Sequence, residues 1–176
     1  MFHSRDSLIT FAEAYQQKHE MLVALENNDF EQAYSYYPEA SKKFSDILAK
    51  LKDNSEISAV LLSEHLRCFS AEWAITKMCY YGVEVLQKWR RYDEAVNQLQ
   101  TLLQQDVFCF DSRGRWYDRL ALNLHQHLKQ PEKVHVVLSL VYQLLMTYFD
   151  LNDCVPLNQA VSCSHCKRCM VGELCM

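Results

Sequence analysis

An all-α fold built from paired helices follows from three features of the sequence. Apolar residues recur every three or four positions over long stretches, as one face of an α-helix requires. Only 3 glycines and 3 prolines interrupt a chain that is 49% hydrophobic, so helix breakers are scarce. A short polar turn followed by an aromatic-x-x-Ala step occurs twice, at Asn27-Asn28-Asp29-Phe30 to Ala33 and at Arg90-Arg91-Tyr92 to Ala95.

The first helix is predicted from Ser7, with Leu8, Phe11, Ala12, Tyr15, His19 and Leu22 on one face, and ends near Asn27-Asn28. Asp29 opens the second, where Phe30, Ala33, Tyr34 and Tyr37 form a stripe and Ala40, Phe44, Ile47, Leu48 and Leu51 another. Pro38 lies between the stripes. It lacks an N–H and crowds the preceding turn, so a kink or break is expected near Tyr37. Ile57, Val60, Leu61, Cys68, Ala71, Ile75 and Met78 mark an intervening helix entered through Asp53-Asn54-Ser55. Gly82, Val83 and Leu86 then lead to the second turn, and Val96, Leu99 and Leu103 continue beyond it.

Helix, turn, helix with Phe30 and Ala33 three apart is how a tetratricopeptide unit closes its hairpin. The two copies stand about 62 residues apart, which is no multiple of the 34-residue period, so two irregular hairpins are expected rather than a regular solenoid. Trp73, Tyr80 and Tyr81 are assigned either to a groove or to packing between helices.

A formal charge of -4 over 176 residues sets the chain apart from generally basic nucleic-acid binders. Any contact with DNA has to come from a local patch. Met1 to Asp6 lead into no apolar run, so no secretory signal is expected. Of the 8 cysteines, four crowd between Cys163 and Cys175, which fits a reducing compartment better than a disulfide scaffold.

The residues that invite a functional reading begin at Asp111-Ser112-Arg113-Gly114-Arg115-Trp116. Asp111 and Ser112 are helix-capping types, Gly114 frees the backbone, and Trp116, Leu120, Leu124 and Leu128 recur every fourth position. A helix N-terminus favours anions, and Arg113, Arg115 and Arg119 add planar charged forks suited to phosphate oxygens. The competing reading pairs these arginines with Asp111, Asp118 or other surface acids. Lys88, Arg90 and Arg91 form another basic patch, assigned to a DNA backbone or to compensation of a helix dipole.

Arg113 to Lys129, R-G-R-W-Y-D-R-L-A-L-N-L-H-Q-H-L-K, resembles a segment of the Fanconi-associated nucleases. So do F-H-S-R-D-S-L-I-T-F-A-E-A-Y (Phe2 to Tyr15) and K-H-E-M-L-V-A-L-E-N (Lys18 to Asn27), which are similar to the start of that family's tetratricopeptide-like helical region. The resemblance covers residues 2–129, so that 1–129 is expected to be this region. It implies a fragment or short form of a structure-specific nuclease of interstrand cross-link repair, a 5′-flap endonuclease and 5′-3′ exonuclease acting in the nucleus. It also implies that Arg115 lines a basic pocket for the 5′ phosphate of branched DNA, with Arg113 and Arg119 as weaker candidates. A groove for a protein partner, or self-association, is the alternative.

Residues 130–152 depart from the resemblance. Val134 to Leu151 is apolar nearly all round, yet His135, Ser139, Gln143 and Thr147 argue for a packing helix rather than a membrane span. Residues 153–176 are expected to be a disordered cysteine-rich tail. Zinc on Cys163, Cys166, Cys169 and Cys175 is the alternative, against which the tight shared spacing counts.

The family's catalytic P-D and E-x-K signature, which would hold Mg2+ or Mn2+, is absent from this sequence. Pro38-Glu39 and Pro131-Glu132 are the nearest approaches. No catalytic residue and no cofactor is therefore assigned to this chain. His125 and His127, two apart on a helix, point in different directions and are read as surface or capping groups.

Overall fold

The computed structural model describes residues 4–53, 62–139 and 141. Among them are the helices α1 (Arg5–Glu26), α2 (Phe30–Lys52), α3 (Ala71–Lys88), α4 (Tyr92–Leu102) and α5 (Arg113–Leu122). A 3₁₀ segment, Glu64–Phe69, precedes α3, a 3₁₀ turn, Phe110–Ser112, precedes α5, and a π-helical turn, Asn123–His127, follows it. Residues 131–139 are again helical, and no strand occurs among the described residues. Two compact units, Met1–Val137 and Leu138–Met176, divide the chain. The first carries the hairpins.

Local chemistry explains where the first helices start and stop. Ser4 and Ser7 form a reciprocal capping box at α1, so that helix begins ahead of the expected Ser7. Asp29 caps α2 by accepting from the Gln32 amide at 3.0 Å. Between them Asn28 takes a left-handed backbone with φ 59°. Its amide donates to the Leu25 carbonyl at 3.0 Å and that of Asp29 to the Ala24 carbonyl at 2.8 Å. These are the paired bonds that close a helix on a left-handed residue.

The second hairpin repeats this turn bond for bond. Arg90 has φ 60°, and the Arg90 and Arg91 amides reach the Gln87 and Leu86 carbonyls at 3.0 and 2.9 Å. Ala33 and Ala95, three residues after each turn aromatic, are both fully buried. A methyl side chain there lets each helix pair approach closely.

Among the described residues the expected intervening helix is not a separate element. Ser70 caps α3 by accepting from the Trp73 amide at 3.2 Å, and Cys68 lies in the 3₁₀ segment instead. The expected positions Ile57, Val60 and Leu61 lie outside the described residues. Ala71, Ile75 and Met78 therefore share one helix with Gly82, Val83 and Leu86. Side chains of α3 meet α5 at Lys77 with Ser112, Tyr80 with Trp116 and Gln87 with Asn123. The pairs advance together, so α3 and α5 run parallel with a sequence offset of 35 to 36 residues. That offset is close to one tetratricopeptide step of about 34 residues, and α5 begins a third unit that the spacing of the two turns did not reveal.

Pro38 does not end α2, which continues to Lys52 with the proline inside it. A proline within a helix costs about 3 kcal/mol. Beyond it Phe44, Ile47 and Leu48 are buried, each stabilising by roughly 1.5–3 kcal/mol, and the sum favours continuation. The same stretch holds a close helix approach. The Tyr37 ring lies where a Cβ on Gly82 would be, and its hydroxyl donates to Gln98 Oε1 at 2.9 Å. One tyrosine of α2 thus touches α3 and α4 together. Burial pushes its phenol pKa up to about 12.

The buried face of α1 differs from the expected one. Ala14, Lys18, Met21 and Ala24 face inward, while Leu8 and Tyr15 are each 47% exposed. Two small residues, Ala14 and Ala24, and two long ones, Lys18 and Met21, make up this face. In the segment that departs from the resemblance, Val137 is buried and Val136 and Leu138 are exposed. Most of Val134 to Leu151 and all of Cys163, Cys166, Cys169 and Cys175 lie outside the described residues. Among the described residues no helix is long and apolar enough to cross a membrane.

Replacing Gly82 by alanine should destabilise the fold by about 1–3 kcal/mol, since the new methyl must displace the Tyr37 ring. Gly114, by contrast, is helical and a Cβ there meets nothing within 4 Å. Gly114→Ala should stabilise by about 0.5–1 kcal/mol; urea denaturation of both variants checks the opposite signs. Tyr37 keeps its proton longer in the fold than in the unfolded chain. Its contribution is complete below pH ~10 and disappears as the pH rises towards 12. Tyr37→Phe should accordingly lose less stability over that interval in alkaline unfolding.

Candidate nucleic-acid interface on α3 and α5

Before α5 the chain is knotted around a buried glutamine. Gln105 Oε1 accepts from the Val107 and Phe108 amides at 2.9 and 2.7 Å, and its Nε2 donates to the Phe108 carbonyl at 2.9 Å. Cys109 then takes a left-handed φ of 56° and feeds the 3₁₀ turn. The Arg113 amide donates to the Phe110 carbonyl within that turn. The start of α5 is therefore a continued helical chain and not the open N-terminus expected. Ser112 does not cap it. Its hydroxyl accepts from Lys77 Nζ at 2.7 Å, and Gly114 has no positive φ.

The three arginines part company. Arg113 turns back onto the end of α4, donating to the Gln105 and Leu103 carbonyls, with its guanidinium 5.9 Å from the Tyr117 ring. It neutralises the carbonyl end of that helix. Arg115 and Arg119 are exposed. Neither has a carboxylate within salt-bridge distance among the described residues, where the ion pairs are Lys43–Glu39 and Arg91–Glu94. Arg115 and Arg119 lie one turn apart and border a notch with Tyr80, Asp118 and Leu122.

Next to the notch is a cleft of about 370 Å³ between α3 and α5, whose walls include Tyr80, Glu84, Lys88, Arg119 and His127. Side chains rather than close backbone contact bridge these two helices, and the space between them is the cleft. Its walls bring Lys88 beside Arg119. Arg90 is exposed at the left-handed turn position, and Arg91 binds Glu94 and the Tyr34 hydroxyl. Lys88 lines the cleft while its Nζ lies 5.7 Å from the Phe30 ring of α2.

Lys77 and Glu84 of this face carried no signal in the sequence, whereas Tyr80 and Lys88 stand among the candidates for a groove and a basic patch. Lys77, Tyr80, Glu84 and Lys88 share one face of α3, the i, i+3, i+7, i+11 pattern, but only the position of α5 shows what that face meets. Lys18, 9% exposed, lies 3.7 Å from the Tyr15 ring and 5.1 Å from the Trp73 ring. Lys77 approaches the other reaches of the same indole at 5.3 Å. Cys109 lies nearby; burial pushes its thiol up to about 12, against the pull of Lys77 and Lys18. Among the described residues no group of His, Cys, Asp or Glu is arranged to hold a metal ion.

Residues 7–145 match the family model for the TPR domain of Fanconi-associated nuclease 1. The chain belongs to the Fanconi-associated nuclease 1 family. Fanconi-associated nuclease 1 of Danio rerio is 44% identical over 134 residues, covering 76% of this chain and 13% of that protein. The Homo sapiens protein of the same name is 40% identical over 133 residues, covering 75% and 13%. A homolog from Caenorhabditis elegans is 29% identical over 102 residues, 56% of this chain and 12% of that protein. The chain thus spans about an eighth of the length of these nucleases. The Fanconi-associated nuclease 1 match runs past Lys129, where the resemblance was expected to end, and takes in Lys88, Arg115, Arg119 and His127.

The different surroundings of Arg113 and Arg115 separate their effects on stability. Arg113→Ala should cost about 1–3 kcal/mol, because charge-assisted bonds to buried carbonyls are lost. Arg115→Ala should stay within about 0.5 kcal/mol of the parent, as thermal unfolding of the two variants can show.

Proposed function

We propose that this chain is the DNA-positioning helical module of a structure-specific DNA-repair nuclease that works in the nucleus on interstrand cross-links. Arg115 takes the 5′ phosphate of the branched strand, Arg119 supports it from the next turn, and Lys88 meets the backbone beyond. The observation that carries this reading is the state of Arg115: exposed on α5, free of any carboxylate within salt-bridge distance among the described residues, and beside an aromatic-walled cleft. An unpaired guanidinium can offer both forks to a terminal phosphate without first breaking an ion pair.

Net charge does not oppose this assignment. The -4 of the whole chain is an average, whereas phosphate responds to charge within about 10 Å at ordinary salt. Hydrolysis is assigned elsewhere in the longer family proteins, whose metal-holding acids have no counterpart motif here. A protein-docking role is favoured by one separate feature, the exposed Leu8, Ile9 and Tyr15 on α1.

Binding of the full chain to 5′-flap DNA, followed by fluorescence anisotropy across a salt series, tests the proposal. The parent should prefer 5′-phosphorylated over 5′-hydroxyl ends. Arg115→Ala should remove that preference and reduce the salt slope by about one unit. Equal affinity for the two ends in the parent would overturn the phosphate assignment and leave the docking role of α1 as the better reading. No cleavage is expected from this chain with magnesium or manganese.

A further inference from the structure

We infer that the cleft between α3 and α5 receives an unpaired nucleobase from the same strand whose 5′ phosphate is held at Arg115. The inference rests on the DNA-binding reading above, and its support is a set of groups which that reading does not use. Asn123 is fully buried and lines the cleft. Gln87 Nε2 donates to its Oδ1 at 2.8 Å, which fixes the amide plane, while its Nδ2 has no partner. A buried donor left unsatisfied is costly, and an incoming acceptor removes that cost. Asn123 also opens the π-helical turn Asn123–His127, a departure from α-geometry that frequently marks functional sites.

A flat surface lies beside this donor. The Tyr92 and His127 rings stack at 3.7 Å with planes 2° apart, and both line the cleft. Tyr92 is half-buried and His127 exposed, so the imidazole forms the outer layer on which another ring can lie. Beside Lys88 and Arg119 in the same cleft, Glu84 adds the acceptor that a base uses and a phosphate does not. Its exposed carboxylate on the same wall repels a phosphate but accepts from the amino group of a base, while an asparagine or glutamine amide donates to a ring nitrogen or carbonyl. Aromatic platform, fixed donor and acceptor together suit a base edge and face. The volume of about 370 Å³ falls within the range of small-ligand sites.

The cleft and the Arg115 notch share Tyr80, Arg119 and Leu122, so one strand can occupy both. Asn123 follows Arg115 by about two turns, a rise of roughly 12 Å. At about 3.4 Å per nucleotide, the base belongs to the first three or so nucleotides of the 5′ end.

The test uses the full chain and 5′-phosphorylated flap DNA carrying 2-aminopurine, or an abasic residue, at each of the first three positions in turn. At one of them the 2-aminopurine emission should be quenched on binding, and the abasic residue there should weaken binding about five- to tenfold. His127→Ala, at an exposed position, should abolish the quenching and the abasic effect while leaving the preference for a 5′ phosphate intact. Asn123→Ala, checked for folding by circular dichroism, should reduce the abasic effect in the same way. Quenching absent at all three positions, or equal affinity for abasic and intact strands, would overturn the inference. So would a free 2-aminopurine deoxynucleoside monophosphate that binds as tightly as the strand does. If instead the abasic effect persists while 5′-phosphorylated and 5′-hydroxyl ends bind alike, the Arg115 reading fails and the base site stands.

Discussion

The structure depends on one close approach, the seating of the Tyr37 ring against the backbone of α3 at Gly82. No side chain larger than hydrogen fits at that point. The tyrosine is held from its far end by Gln98 of α4, so three helices are fixed by one residue. The arrangement also accounts for an uninterrupted α2. A break at Pro38 would turn Tyr37 out of its seat and withdraw Phe44, Ile47 and Leu48 from the core. The cost of the proline is met by the residues that follow it.

With α3 held by α1, α2 and α4, its remaining face is available to α5. The contacts Lys77–Ser112, Tyr80–Trp116 and Gln87–Asn123 space the two helices apart by side chains. Helices joined by small residues, such as those meeting at Ala33 and Ala95, leave no room between them. Those separated by Tyr, Gln and Trp leave a cleft. The same packing rule therefore explains the closed hairpins and the open groove. It also accounts for the unsatisfied amide, since Gln87 holds Asn123 in the interface through Oδ1 while Nδ2 is left buried without a partner.

Charge is sorted along this groove in a way that a net value hides. Arg113 is consumed by the carbonyls at the end of α4 and Arg91 by Glu94, whereas Lys88, Arg115 and Arg119 are exposed, Lys88 with its Nζ 5.7 Å from the Phe30 ring. Arginines of similar sequence surroundings thus divide into structural and available groups. Membership of the Fanconi-associated nuclease 1 family gives the available ones a chemical context. The chain spans 13% of the length of the Danio rerio and Homo sapiens relatives.

Much of this architecture was determined by the sequence itself. The all-α class, the two turns at Asn28 and Arg90, the Asp29 cap and the inward stripe Trp116, Leu120, Leu124 are local: each depends on residues within one or two helical turns, whose periodicity and capping chemistry suffice. Tertiary structure alone decided the matters that turn on distant partners. Pro38 stays helical because Phe44, Ile47 and Leu48 find a core, and α1 turns Ala14 and Met21 rather than Leu8 and Tyr15 towards its neighbours. Ser112 gives its hydroxyl to Lys77, 35 residues earlier, where local rules made it a cap. The cleft is the furthest removed from local reading, for Tyr92, His127, Gln87 and Asn123 become a site only when α3, α4 and α5 stand side by side.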